Sequence, residues 1–276
     1  MYVVILLWFF ICGAVIGSFL NVVIYRFNTG KSINGRSHCL SCGTGLSWYE
    51  LIPIFSYLLQ GGVCRHCRAR ITRRYLLVEV FTGVLFVFVA VLFLPDLILV
   101  LLNLLITSVL VVIMVYDLRH TIIPDKLVAY LLVLALGYIL WDSFTHSLLE
   151  PLYERALGGI VPAAFLGGLW LISSGRWIGL GDAKLALPLG LIVGFLGSIS
   201  MLLFAFWIGA IVSIGILLLQ KIGRVPRVGV LFNGSRLTIK SEVPFAPFLL
   251  CSFFLVHLMH LDAFNLVDIL IAHPRI

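Results

Sequence analysis

The sequence predicts an all-α polytopic membrane protein with about eight transmembrane helices and a cytoplasmic zinc-ribbon-like loop between helices 1 and 2. Three observations predict it. Of 276 residues, 62% are hydrophobic and 11% are charged, whereas soluble domains run near ~45–50% and ~25%. One packed core cannot enclose that much apolar surface at this length, so the surplus faces lipid. Apolar runs recur at roughly the 20 residues that cross a bilayer. Four cysteines form two C-x-x-C pairs inside a polar, basic segment. The same composition excludes a disordered chain or a small disulfide scaffold.

The apolar runs fall at 2–25, 76–94, 97–115, 124–141, 157–173, 183–197, 199–220 and 244–262. The first lacks a basic leader and exceeds a signal-peptide core, so it reads as a retained helix. Eight basic residues, from Arg26 to Arg74, lie between the first two runs. Alternate connections add Arg119 and Lys126, then Arg176 and Lys184, then five between Lys221 and Lys240. Of 19 Lys and Arg, only Arg155 and Arg275 fall on the other side. Lys and Arg collect in cytoplasmic loops, so the loop 26–75 is expected in the cytoplasm and both termini outside. The net charge of +7 is then explained by topology and anionic lipid, and no nucleic-acid partner is expected without a recognition motif. The plan divides the chain into a first span (1–25), a four-cysteine zinc-binding loop (26–75) and a membrane domain (76–276).

Within the loop, Cys39-Leu40-Ser41-Cys42 and Cys64-Arg65-His66-Cys67 are separated by 21 residues. Two residues between thiolates let both sulfurs of a knuckle reach one ion, and two knuckles complete a tetrahedral zinc site. A reducing compartment favours metal over disulfides, and a redox C-x-x-C would need a βαβ setting that is absent. Four thiolates leave no open coordination position, so the zinc would be structural. Cys12 and Cys251 sit in apolar runs as small buried hydrophobes. Between the knuckles, Trp48 to Pro53 and Ser56 to Leu58 read either as an amphipathic segment in the membrane interface or as aromatics packed over the zinc ribbon.

Asp96, Asp142, Glu150, Glu154, Asp262 and Asp268 fall in the outer connections, where water is expected to solvate them. Two cytoplasmic-side acids stand apart. Asp117 directly follows the apolar stretch Val111 to Tyr116, and Asp182 follows Gly179-Leu180-Gly181 where the sixth run begins. Singly, each has a plain structural explanation. Asp182 can be an acid at a helix N-terminus after turn-permitting glycines, and Asp117 a helix-end acid reaching interfacial water. Together they reach one membrane face at similar depth, and ionisable groups beside lipid are costly and functional by default. Two carboxylates in one low-dielectric pocket share a proton. One can act as general base for a water while the other, protonated, polarises a carbonyl. The glycines would let a substrate backbone approach Asp182, and Lys184 would favour ionisation nearby or face lipid headgroups. Asp125, after Ile122-Ile123-Pro124, rivals Asp117, but a proline-opened helix with an acid in its first turn accounts for it.

These residues resemble the type IV prepilin peptidases, bifunctional leader peptidase/N-methyltransferases among the GxGD membrane aspartyl proteases. The resemblance covers nearly the whole chain. Gly17-Ser18-Phe19-Leu20-Asn21-Val22 is similar to the family's first-helix motif. The paired C-x-x-C loop, with Ile52-Pro53, Ser56-Tyr57 and Gly61-Gly62 between, is similar to its cytoplasmic domain. Asp117, in the stretch ending Ile123-Pro124-Asp125, matches the first catalytic aspartate. Gly179-Leu180-Gly181-Asp182-Ala183-Lys184 matches the GxGD-x-K motif, with Asp182 the second. Leu76 and Ala246 depart from the family pattern, where a proline and a glycine are usual. The resemblance implies cleavage of the basic leader from type IV prepilin, pseudopilin or competence pilin precursors at the cytoplasmic membrane face. It also implies methylation of the new amino terminus with S-adenosylmethionine, with the loop 26–75 associated with that activity. Asn21, Glu50, Gly61 and Gly62 are its candidates for methyl transfer.

Two other readings use the same residues. In a proton-coupled transporter Asp117 and Asp182 would relay protons, but such groups lie near the midplane, often between repeated halves, and no internal repeat is visible. A zinc-ribbon scaffold of a pilus assembly platform would explain the loop and leave the paired acids as coincidence.

Overall fold

The computed structural model describes residues 2–27, 29, 32, 34–146, 150–221 and 244–263. Its elements are helical: α1 (Tyr2–Arg26), a 3-10 turn (Trp48–Leu51), α2 (Phe55–Leu59), α3 (Arg74–Phe93), α4 (Leu97–His120), α5 (Asp125–His146), α6 (Glu150–Ser173), α7 (Leu180–Lys221) and α8 (Ala246–Met259). Among the described residues, six helices are long and apolar enough to cross a membrane, and α8 is a shorter apolar helix. The residues form two compact units, Met1–Val112 and Ile113–Ile276, with the division inside α4. Lys31, Arg224, Arg227, Arg236, Lys240, Asp268 and Arg275, which enter the charge pattern above, lie outside the described residues.

In the first unit, α1 packs on α3 through glycines. A Cβ at Gly13 would stand 2.8 Å from Gly83 Cα, and one at Gly17 would stand 2.9 Å from Glu79 Cα. Lipid tails give helices no hydrophobic reason to associate, so close backbone approach through small residues one turn apart supplies the attraction. Between α1 and α3 the described residues of the loop add to the 3-10 turn and α2 two isolated bridges, His38 with Gly45 and Val63 with Arg70. Trp48, Phe55 and Leu59 are 78%, 67% and 80% exposed. These three suit the membrane interface, while Tyr49 of the same segment meets the second knuckle, with the Arg65 guanidinium over its ring at 5.3 Å.

The second unit contains α5 to α8 and the end of α4. Gly158 and Gly190 bring α6 and α7 together so closely that a Cβ on either would overlap the facing backbone. Leu131, Leu166, Leu185, Leu189, Leu249 and Phe253 are fully enclosed. The spans expected at 183–197 and 199–220 are one element, α7. A straight helix of that length would run about 63 Å, twice the ~30 Å hydrocarbon core. The element is interrupted at Gly194, whose φ of 76° and ψ of −178° belong to a conformation open essentially to glycine alone. The break therefore falls four residues before the expected gap and needs no loop. Next to it, Arg155 Nη1 donates to the Ile192 carbonyl at 2.9 Å, and the same guanidinium pairs with Asp142. Asp142 is thus an ion-pair partner rather than a freely solvated acid. Asp96 is likewise engaged, its Oδ1 accepting the Ile98 and Leu99 N–H groups at 3.0 Å each and capping α4.

Gly190→Leu should destabilise the protein by at least about 1–3 kcal/mol, the usual cost of overpacking. Gly215→Ala, where a Cβ meets nothing within 4 Å, should be neutral or stabilising by up to about 1 kcal/mol. Thermal unfolding in detergent, followed by intrinsic fluorescence, checks both.

Candidate functional site

Asp117 lies in the last turn of α4, which ends where Thr121 turns to φ 52° and donates its N–H to the Asp117 carbonyl at 2.7 Å. The helix runs past the expected end at residue 115, so the side chain is held on a rigid element. It is 5% exposed, and its Oδ2 is buried with no hydrogen-bond partner among the described residues. Asp182 lies in the first turn of α7 and is 7% exposed. Its carboxylate accepts the Gly179 backbone N–H, and Asp117 is near enough for its charge to be felt there. Neither acid has a basic partner among the described residues. The structure thus buries both sequence-selected carboxylates, within electrostatic reach of each other. A buried oxygen without a donor is costly, and the Asp117 oxygen offers a water or a protonated substrate group an acceptor.

The glycines fit this geometry. A Cβ at Gly181 would press on the Ile123 side chain at 3.1 Å, and one at Gly179 would meet Asp182 Oδ2 at 3.4 Å. The start of α7 therefore sits tightly on the α4–α5 turn. Lys184 does not join the pair. Its Nζ lies 2.8 Å from Asp125 Oδ1, with side chains 44% and 74% exposed, so it ties the start of α7 to the first turn of α5. Such an open pair contributes about 0–1 kcal/mol.

The Cys39, Cys42, Cys64 and Cys67 sulfurs all lie within 4.8 Å of one another, and those of Cys39 and Cys67 are 3.9 Å apart. Tetrahedral zinc at about 2.3 Å from each sulfur needs separations close to this, so the residues fit the ion. The knuckles are built alike. The Cys39 N–H donates to the Thr44 carbonyl and the Cys64 N–H to the Ala69 carbonyl, each at 2.9 Å. Gly43 (φ 73°) and Arg68 (φ 59°) complete the two turns. Hydrogen bonds from the Thr44 hydroxyl and backbone N–H pull the Cys42 thiol down to about 6. The Cys67 and His66 backbone N–H groups lower Cys64. Thiolates are the metal-binding form.

Beside the knuckles lies a cavity of about 240 Å³ lined by Asn21 and Glu50. Asn21 Nδ2 donates to the Tyr75 carbonyl at 3.1 Å, and Glu50 Oε2 accepts the Ser47 N–H at 2.9 Å. Gly61 and Gly62, the other methyl-transfer candidates, do not line it. They form a left-handed turn after α2 (φ 61° and 69°), with Gly62 against the Tyr57 ring. The sequence reading misses Arg26 and Glu79, which do line the cavity. The signals for Glu79 are an acid one turn inside an apolar span and its place at the end of Arg74-Tyr75-Leu76-Leu77-Val78-Glu79, the stretch in which Leu76 replaces the usual proline.

Bacterial peptidase A24 N-terminal domains match residues 11–93, and the type IV leader peptidase family matches residues 104–214. A Myxococcus xanthus protein named prepilin leader peptidase/N-methyltransferase is 36% identical over 225 residues, 78% of this chain and 63% of that protein. Proteins of the same name from Aeromonas salmonicida and Burkholderia pseudomallei are 32% and 30% identical. These alignments cover 77% and 87% of this chain, and 81% and 80% of the relatives. The chain thus spans under two thirds of the Myxococcus protein. No solved structure matches it.

Elemental analysis of the purified chain should find one zinc per molecule. A Cys64→Ser, Cys67→Ser double variant should retain almost none, because half a site binds weakly. Acid should release the metal as the thiolates protonate.

Proposed function

This chain belongs to the type IV leader peptidase family, and we propose that it cleaves the leader from prepilin, pseudopilin or competence pilin precursors by a two-aspartate mechanism. The observation that carries this reading is the burial of Asp117 and Asp182 within electrostatic reach of each other, with no ion-pair partner for either among the described residues. Polytopic helices and the relatives' names support a multi-pass protein of the bacterial cytoplasmic membrane.

In the proposed mechanism one carboxylate removes a proton from water as its oxygen adds to the scissile carbonyl carbon. The other, protonated, gives its proton to the carbonyl oxygen. Collapse of the tetrahedral carbon breaks the C–N bond: the departing nitrogen takes the proton held by the first carboxyl, and one hydroxyl of the diol returns its proton to the second carboxylate as the new carboxyl group forms. Gly179 orients Asp182 through its N–H, Gly181 allows the close approach of Ile123, and Lys184 fixes the entry of α7 through Asp125. The bias of Lys and Arg supports a cytoplasmic loop 26–75, both termini outside and a cut on the cytoplasmic side.

The second part of the proposal is N-methylation of the exposed amino terminus. The four-cysteine loop (26–75), with the span 1–25, is assigned to it, and residues 76–276 to the peptidase. S-adenosylmethionine, when bound, supplies the methyl group. Asn21 and Glu50 stand in a polar cavity that suits a charged ligand, and Gly61 and Gly62 shape the loop beside it. Zinc holds the knuckles together and takes no part in the chemistry.

Incubating the purified chain with a precursor and weighing the products reads both activities. Asp117→Asn and Asp182→Asn keep side-chain size but remove the base and the shared proton. Each should lower cleavage at least about a thousandfold, and the double variant should be scarcely worse, as for groups acting as one unit. Asp125→Asn should keep most activity. Normal cleavage by Asp182→Asn would remove the aspartyl mechanism. Loss of cleavage in Asp125→Asn but not in Asp117→Asn would reassign the first aspartate.

A further inference from the structure

Asp182 is carried by a short rod. The helix α7 is two segments that meet at Gly194, and the acid stands in the first turn of the first. From Leu180 to Val193 that segment spans about 21 Å, with Ile192 about 15 Å along the axis from Asp182. A helix so short moves as one body, so whatever fixes its far end also places the carboxylate. At the near end Gly181 rests on Ile123, and the exposed Lys184–Asp125 pair adds a loose tie.

The far end is held by α6. Where the chain leaves helical conformation at Gly194, the preceding carbonyls lose the N–H groups one turn on. An unsatisfied carbonyl among apolar helices is costly. Arg155 answers that cost at one point, its Nη1 donating to the Ile192 carbonyl at 2.9 Å. A cation there also meets the negative end of the segment's dipole. The guanidinium is itself fixed on two further sides. Its Nη2 donates to Asp142 of α5, and its Cζ lies 5.6 Å from the centre of the Tyr138 ring. His257 of α8 packs edge-on against the same ring at 5.7 Å. Gly158, one turn beyond Arg155 on the same face of α6, leaves room for the break; a Cβ there would overlap the Gly194 carbonyl. None of these groups takes part in the proton transfers assigned to the two acids.

We propose that Arg155 is a positioning residue for cleavage: by holding the Ile192 carbonyl it sets the register of the first segment of α7, and so the place of Asp182 relative to Asp117. The proposal rests on the two-aspartate reading and adds to it a residue at the opposite end of the helix. A slide of one residue would move Asp182 by about 1.5 Å and turn it by about 100°. A misplacement of about 1 Å can cost a hundredfold in rate. Arginine suits the task better than lysine because its planar fork reaches Ile192 and Asp142 together.

The test uses the full-length chain in detergent, a precursor as substrate, and a peptide whose scissile amide is replaced by an uncleavable hydroxyethylene group. Arg155→Met removes the donor to Ile192. Its kcat should fall about tenfold to a hundredfold, with KM within about twofold because ground-state binding is untouched. Affinity for the hydroxyethylene peptide should fall by the same factor, at an unchanged number of binding sites per chain. Partial unfolding does the opposite, removing sites and leaving the affinity of the remainder as it was. Arg155→Lys, which keeps a charged donor, should regain most of the rate. Asp142→Asn, which keeps an oxygen for Nη2, should stay within about threefold of the wild type. If Arg155→Met strands Asp142 and few sites survive, the Arg155→Met, Asp142→Met double variant leaves no charge unpaired and should show the same loss of kcat. Wild-type kcat and affinity in a folded variant without Arg155 overturn the proposal, as does a loss of rate matched by a loss of sites. An equal loss in Asp142→Asn overturns the role of the Ile192 carbonyl. Full cleavage by Asp182→Asn removes the parent reading and this one together. Loss of cleavage there, with Arg155→Met unaffected, removes this one alone.

Discussion

A carboxylate taken out of water with no cation beside it is the constraint on which most of this molecule depends. Its cost in a low-dielectric setting is several kcal/mol at least, about the size of a protein's whole margin of stability. Asp117 and Asp182 stay buried only because the surrounding helices over-determine their positions. Glycines set that framework. Gly181 admits Ile123 beneath the start of α7, and Gly158 and Gly190 lock α6 to α7 at backbone contact. The rigidity comes from helix packing, and the chemistry uses what that rigidity holds in place.

The first unit follows the same logic with different materials. Its loop turns most of its large apolar side chains outward rather than into a core, so the cysteine knuckles organise it from one side and the α1–α3 glycine seam from the other. Gly17, Ser18 and Asn21 lie on one stretch of α1, and each has a partner in α3: Gly17 and Ser18 at Glu79, Asn21 at Tyr75. A motif that reads as a string of small and polar residues in a membrane helix supplies, through Ser18, Asn21 and Val22, one wall of the cavity. Its pieces come from α1, the loop and the first turns of α3.

What was legible in the sequence is what local pattern encodes. Apolar runs place the helices but stop short of their polar ends, by five residues in α4 and α5 and by seven at the start of α6, because hydropathy marks the part of a helix suited to the bilayer. The C-x-x-C spacing predicts the thiol cluster, because a knuckle is a local structure. The glycine frame of Asp182 marks that acid as unusual. Features that depend on partners distant in the chain were not legible. Glu79 looks like a lone acid near a helix start until Ile54, 25 residues earlier, turns its N–H toward it. Asp142 and Arg155 read as separate outer charges, yet they pair and brace the Gly194 break. Gly194 itself gives no sign in composition that it, rather than the region near residue 198, divides α7. Only its backbone conformation does.

The central claim is that Asp117 and Asp182 act as one catalytic unit on a carbonyl being attacked by water. A peptide carrying a hydroxyethylene group in place of the scissile amide imitates that tetrahedral carbon and cannot be cut. Its affinity for the purified chain, for Asp117→Asn and for Asp182→Asn tests the claim most directly. The account predicts tight binding to the wild type and a loss of at least about a hundredfold in either variant, the range expected for transition-state mimics, with zinc content unchanged. Equal affinity for the wild type and both variants would contradict it.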